Sequence, residues 1–212
     1  MKIKCVIFDC DGTLVDSEYL CNLALEMMLR EQGIAASAHD MMDRFRGGKL
    51  AHILQAIQTD HQIALGPDFV PAYRARVEEL FERDLQPCDG VREMLEELEM
   101  QKCVASSGPI EKVRKALSVT NLSDHFGNNL FSSYLVGSWK PDPGLFLHAA
   151  HEMGFQPDEC AVIEDSPVGV EAAQSAGMVS VLYDPSSRYS GVESDIKIEH
   201  MNQLCAAIVR EN

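Results

Sequence analysis

The chain has 212 residues, 46% of them hydrophobic, and a formal net charge of −15. That length suffices for one α/β domain with a sizeable core and a small insertion. So acidic a surface repels nucleic acid and anionic membranes, which excludes both as expected partners; an anionic small molecule would need a metal ion and local cations to draw it in.

No stretch approaches the apolar length of a membrane span, and the N-terminal apolar run is too short and too acidic for a signal peptide. The seven cysteines are odd in number, lack Cys-x-x-Cys spacing and fall mostly in apolar segments. They read as reduced, buried thiols of a cytoplasmic protein. A monomer is the expected state.

The first predicted element is the β-branched and aromatic run Cys5-Val6-Ile7-Phe8, which stops at Asp9-Cys10-Asp11-Gly12-Thr13. It reads as a buried strand entering a loop at its carboxyl end, where open α/β sheets place their ligands. Alternation along an extended chain aims Asp9 and Asp11 one way and Cys10 another. Two carboxylates roughly 4 Å apart repel by about 4 kcal/mol at an effective dielectric near 20. A cation or a shared proton relieves that, so the pair is a hard-metal site, an acid–base couple, or both. Two solvated carboxylates at an ordinary strand end would read the same way on the pentapeptide alone.

From Ser17 to about Arg83 the chain lacks strand signals and reads as helices. Leu20, Leu23, Ala24, Met27 and Met28 keep helical spacing up to Gly33. A second helix is expected from about Leu50 and a third from Asp68 to Arg83. Between the first two, Arg44, Arg46 and Lys49 surround Gly47-Gly48 and form a cationic group on a loop. Plain solvated charges are the competing reading.

Beyond Pro87, strands alternate with helices. The run Lys102-Cys103-Val104-Ala105 ends at Ser106-Ser107-Gly108-Pro109, where a helix through Leu117 begins. Free amides at a helix N-terminus make a phosphate cradle of Ser106, Ser107 and Gly108, although Ser107 as a simple cap needs no ligand. Lys140 stands in the proline-stiffened loop Ser138–Pro143, ahead of a helix over Gly144–Met153. Ala161-Val162-Ile163 ends in Glu164-Asp165-Ser166-Pro167 before a helix through Ala176, and further strand signals lie near Leu130, Val179–Leu182 and Ile196. The predicted class is α/β: a doubly wound parallel sheet with a helical insertion in its first crossover. Residues 1–16 and 86–212 are assigned to the α/β core and 17–85 to the helical domain.

Together these residues resemble the haloacid dehalogenase superfamily, in its β-phosphoglucomutase-like branch of phosphatases with a small helical cap. Asp9–Thr13 looks like its first motif, Ser106 like the second-motif hydroxyl, Lys140 like the third motif and Glu164-Asp165 like the fourth. The longer stretches Asp11–Ser17 and Glu164–Ala173 share the resemblance. It implies a Rossmann-like core, a helical cap and an Mg²⁺-dependent phosphatase. Asp9 would attack phosphorus and form an aspartyl phosphate, and Asp11 would act as acid and then base. Ser106 and Lys140 would grip phosphoryl oxygens. The implied metal ligands are Asp9, the Asp11 carbonyl, Asp165 and Glu164, the last directly or through water.

The implied substrates are small phosphorylated metabolites, sugar or sugar-acid phosphates. The segments Asp40–Leu50 and Ser106–Pro109 are similar to those of bacterial phosphatases of 6-phosphogluconate, which makes that compound a candidate. Arg46 and Lys49 are then candidate substrate contacts. Two alternatives stand beside the phosphatase: a phosphomutase, and an idle metabolite-binding protein. The mutase relatives carry a histidine where this chain has Cys21 and an arginine where it has Leu50. An idle protein would have no reason to hold the acidic residues together. His148 and His151 have helical i, i+3 spacing but no third ligand nearby, and read as surface or packing residues.

Overall fold

Six short strands organise the described residues, 2–45 and 48–210, of the computed structural model: β1 (Cys5–Phe8), β2 (Gln101–Ser106), β3 (Leu130–Ser132), β4 (Cys160–Glu164), β5 (Val179–Tyr183) and β6 (Ile196–Ile198). They form one parallel sheet in the order β3-β2-β1-β4-β5-β6. Parallel strands are covered on both faces, which is why these read as nearly unbroken apolar runs. The register sets Phe8 of β1 beside Val104 of β2 and Ile163 of β4, so β4 runs one residue and β2 two residues past the end of β1.

The core helices are α5 (Val91–Glu97), α6 (Ile110–Val119), α7 (Ser133–Val136), α8 (Gly144–Met153), α9 (Pro167–Ser175) and α10 (Leu204–Arg210). On one face of the sheet Cys5, Ile7, Cys103, Ala105, Cys160 and Val162 pack with Leu145, Phe146 and Ala149 of α8 and with Ala172 and Ala173 of α9. Alanines at these helix positions let the backbones approach the strands closely. Side chains one residue along point to the opposite face, where the Phe8 ring meets Phe126 edge-on at 5.9 Å. No described helix is long and apolar enough to cross a membrane.

By its contacts the chain divides into Met1–Asp16 with Pro87–Asn212, and Ser17–Gln86. The second unit holds α1 (Glu18–Glu31), α2 (Ala38–Phe45), α3 (Leu50–His61) and α4 (Phe69–Asp84). Leu20, Ala24, Leu25, Met28 and Leu29 of α1 are buried, and α1 packs on α2 and α4. The expectation of three helices here is corrected to four among the described residues. The added helix, α2, is short and buries only Ala38 and Met41. Its first free amide is satisfied from a distance: the Glu26 carboxylate on α1 accepts the Ala38 N–H at 2.6 Å.

Candidate active site

In this strand order the chain fills the sheet outward from β1 through β2 to β3, then returns to the other side of β1 with β4. The reversal between β1 and β4 is the crevice where open sheets bind ligands, at the strands' carboxyl ends. Asp9 follows β1, Glu164 ends β4, and Asp165 follows it. The Asp9 N–H donates to Ile163 O at 3.0 Å, which continues the ladder and places Asp9 beside the acidic end of β4.

Lys140 reaches this crevice from the loop before α8. Its Nζ donates to Asp9 Oδ1 at 2.5 Å and also to Glu164 Oε1. All three side chains are buried, Lys140 at 6% exposure. Burial by itself lowers the pKa of the ammonium, but the charges of Asp9 and Glu164 and their hydrogen bonds outweigh that and hold it raised. The ammonium also lies 5.1 Å from the centre of the Phe146 ring, a cation–π contact that further supports its charge. The Lys140 loop is fixed by Asp142, whose Oδ1 accepts from Ser138 Oγ at 2.6 Å and from the Gly144 N–H at 2.8 Å.

Glu164 is held on its other side as well. Oε2 accepts from Ser166 Oγ at 2.9 Å and from the Ser166 N–H at 3.2 Å. Ser166 Oγ in turn accepts the Gly169 N–H and so caps α9. Asp9 is less well served. Burial raises its carboxyl pKa to about 7, with the charges of Glu164 and Asp11 adding to the rise against the opposing pull of Lys140.

One lysine does not neutralise this group. Asp9, Glu164 and Asp165, all buried, offer oxygens within 4.8 Å of one another. Gly12, at φ +79°, leaves room for Asp165: a Cβ there would fall 2.3 Å from Oδ2. An all-oxygen, anionic donor set of this kind suits a hard divalent cation, so these residues fit Mg²⁺.

At the end of β2, Ser106 is buried, and its Oγ accepts the Gly108 N–H at 3.0 Å. Ser107 and Gly108 follow, half-buried, before α6. Ser132, at the end of β3, donates to Gly108 O at 2.6 Å and braces this turn. The N-cap of α6 is Pro109, with no side-chain cap, so the reading of Ser107 as the cap of this helix is corrected. Asp11 is half-buried; its Oδ1 accepts from Lys112 Nζ at 2.6 Å, and its carboxylate is not one of the clustered three. Sequence reading did not single out Lys112. No motif marks it, and only the packing of α6 brings it to Asp11.

The cationic group of the helical unit needs correction. Arg44 lies in the last turn of α2 rather than on the loop, paired with Asp60 at 2.5 Å and 4.7 Å from the centre of the Phe45 ring. Arg46, with Gly47, lies outside the described residues. Lys49 is exposed, immediately before α3. His148 packs edge-on against Phe131, and His151 sits beside Glu152; both are exposed. Cys10 is buried at 1% exposure.

The chain belongs to the haloacid dehalogenase-like hydrolases: the family's sequence model matches residues 3–177, a span that takes in all the strand-end groups just described. Within that family it is 35% identical over 207 residues to 6-phosphogluconate phosphatase of Escherichia coli, covering 96% of this chain and 93% of that protein. Hexitol phosphatase B of Escherichia coli is 28% identical over 214 residues, covering 97% and 96%. A haloacid dehalogenase-like protein of unknown function from Agrobacterium tumefaciens superposes with a TM-score of 0.84 at 29% identity, covering 99% of each chain.

Proposed function

We propose that the protein is an Mg²⁺-dependent phosphatase of small phosphorylated sugars or sugar acids, 6-phosphogluconate among them, working through an aspartyl phosphate on Asp9. The hydrolysis of phosphoric monoesters is common to the named relatives. The observation that carries the finer reading is the buried Asp9–Lys140–Glu164 group, with Asp165 beside it, at the crevice between β1 and β4.

Uncatalysed monoester hydrolysis is so slow that enzymes accelerate it by up to about 10²¹. A carboxylate approaching a phosphate dianion is opposed by charge, and Mg²⁺ held by Asp9, Asp165 and the Asp11 carbonyl would supply the neutralisation. An Asp9 oxygen bonds to phosphorus as the bond to the substrate oxygen breaks, and Asp11 gives that oxygen its proton. Water then attacks the acyl phosphate and yields its proton to Asp11, which frees phosphate and restores Asp9. Lys140 and Ser106 hold phosphoryl oxygens, with the Ser107–Gly108 turn at the same strand end. Both Glu164 oxygens already accept hydrogen bonds, so we assign it to holding Lys140. All seven cysteines are free thiols, which supports a reducing compartment.

The test is phosphate release from p-nitrophenyl phosphate and a panel of phosphorylated sugars and sugar acids, with and without Mg²⁺. Release that depends on the metal is expected. A folded preparation that releases none from any member overturns the reading.

A further inference from the structure

Lys112 and Asp11 stand 101 positions apart in the chain, yet Nζ and Oδ1 are 2.6 Å apart. About a quarter of each side chain is exposed, 27% and 24%. A partly exposed pair of this kind contributes little to the stability of a fold. Its consequence is orientation. An aspartate on a loop samples several staggered side-chain rotamers, and a charge-assisted hydrogen bond to a fixed ammonium selects among them.

Gly108 lies beside this contact. A Cβ there would lie 3.3 Å from Ser106 Oγ, 3.6 Å from Asp11 Oδ2 and 3.7 Å from Lys112 Cδ. The turn is also held from beneath by Ser132 on Gly108 O. The lysine stem and the carboxylate therefore meet beside a fixed stretch of backbone, at the end of the strand that carries Ser106.

We propose that Lys112 is a positioning residue, which holds the Asp11 carboxylate in the orientation from which it exchanges a proton with the leaving oxygen. The proposal rests on the acid–base role given to Asp11 above. Proton transfer requires heavy atoms about 2.6–3.2 Å apart, so an acid that visits other rotamers loses rate in proportion to the time spent there.

The experiment separates this role from a structural one by the leaving group. p-Nitrophenolate departs as a stable anion, whereas the alkoxide of 6-phosphogluconate needs its proton. Lys112→Ala is expected to lower kcat on 6-phosphogluconate about ten- to hundredfold, a share of the 10²–10⁴ that a general acid supplies. KM should change little, and the first-turnover burst of p-nitrophenolate, which precedes the attack of water, should stay within about threefold of wild type. Lys112→Arg should restore most of the loss. In an Asp11→Asn background, Lys112→Ala should cost nothing further, because a residue acting through another has no effect once that partner is gone. If Lys112→Ala does not fold, Lys112→Met, which keeps most of the stem, passes through the same measurements. An equal loss in the p-nitrophenolate burst, or a full additional loss in the Asp11→Asn background, would overturn the proposal. Undiminished turnover of 6-phosphogluconate by Asp11→Asn alone would instead overturn the acid–base role of Asp11, and the proposal with it.

Discussion

Gly169, in the first turn of α9, lies directly against the Glu164 carboxylate: a Cβ at 169 would fall 1.9 Å from its carboxyl carbon. That carboxylate has little freedom to withdraw, since Lys140 holds one oxygen and Ser166 the other. In an ordinary helix, Gly→Ala gains up to about 1 kcal/mol from propensity. Here overpacking costs about 1–3 kcal/mol. Gly169→Ala should therefore lower the midpoint of urea unfolding, against the propensity trend, and lower activity as Lys140 is displaced. A variant more stable than wild type would show that Glu164 has room to move.

Asp9→Asn should abolish turnover and leave the fold intact, because the amide fits the same space but cannot attack phosphorus. Loss of a charge from a crowded anionic cluster should not lower stability. Activity near the wild-type level in a clean preparation of the variant would exclude Asp9 as the nucleophile.

Removal of divalent cations by chelation should abolish phosphate release, and Mg²⁺ should restore it. Ca²⁺ should inhibit, since it accepts looser coordination with more ligands than the near-octahedral shell that Mg²⁺ demands. Phosphate assays after exhaustive chelation check this. Undiminished activity would rule out a metal role for Asp9 and Asp165.

Lys49 is the described residue of the expected substrate-contact pair, and it is exposed. If it grips a second anionic group of the substrate, Lys49→Ala removes a charge-assisted hydrogen bond of about 1.5–3 kcal/mol, roughly ten- to hundredfold in kcat/KM. That loss should appear with 6-phosphogluconate and not with p-nitrophenyl phosphate, which has no second group to hold. Unchanged kinetics on both would return Lys49 to the solvated surface.

The strands were legible in the sequence for a physical reason. A parallel strand covered on both faces must be apolar at nearly every position, and it ends abruptly where charge begins. Cys5–Phe8 and Cys160–Glu164 both show this. The groups at those ends, Asp9, Ser106, Glu164 and Asp165, could be named as candidates because strand ends are where such sheets present chemistry. What the sequence could not carry is which of these groups meet. Lys140 lies 131 positions from Asp9 and 24 from Glu164, and nothing periodic connects them. Their meeting depends on β4 pairing with β1 and on α8 packing against β1 and β2. The same holds for Lys112 on Asp11, for Gly169 under Glu164, and for α2, whose first amide is satisfied by Glu26 of another helix. Burial patterns are local and repeat along the chain, so the sequence by itself determined the strands and the longer helices. Partner choice depends on the order in which strands and helices stack, and only the tertiary structure decided it.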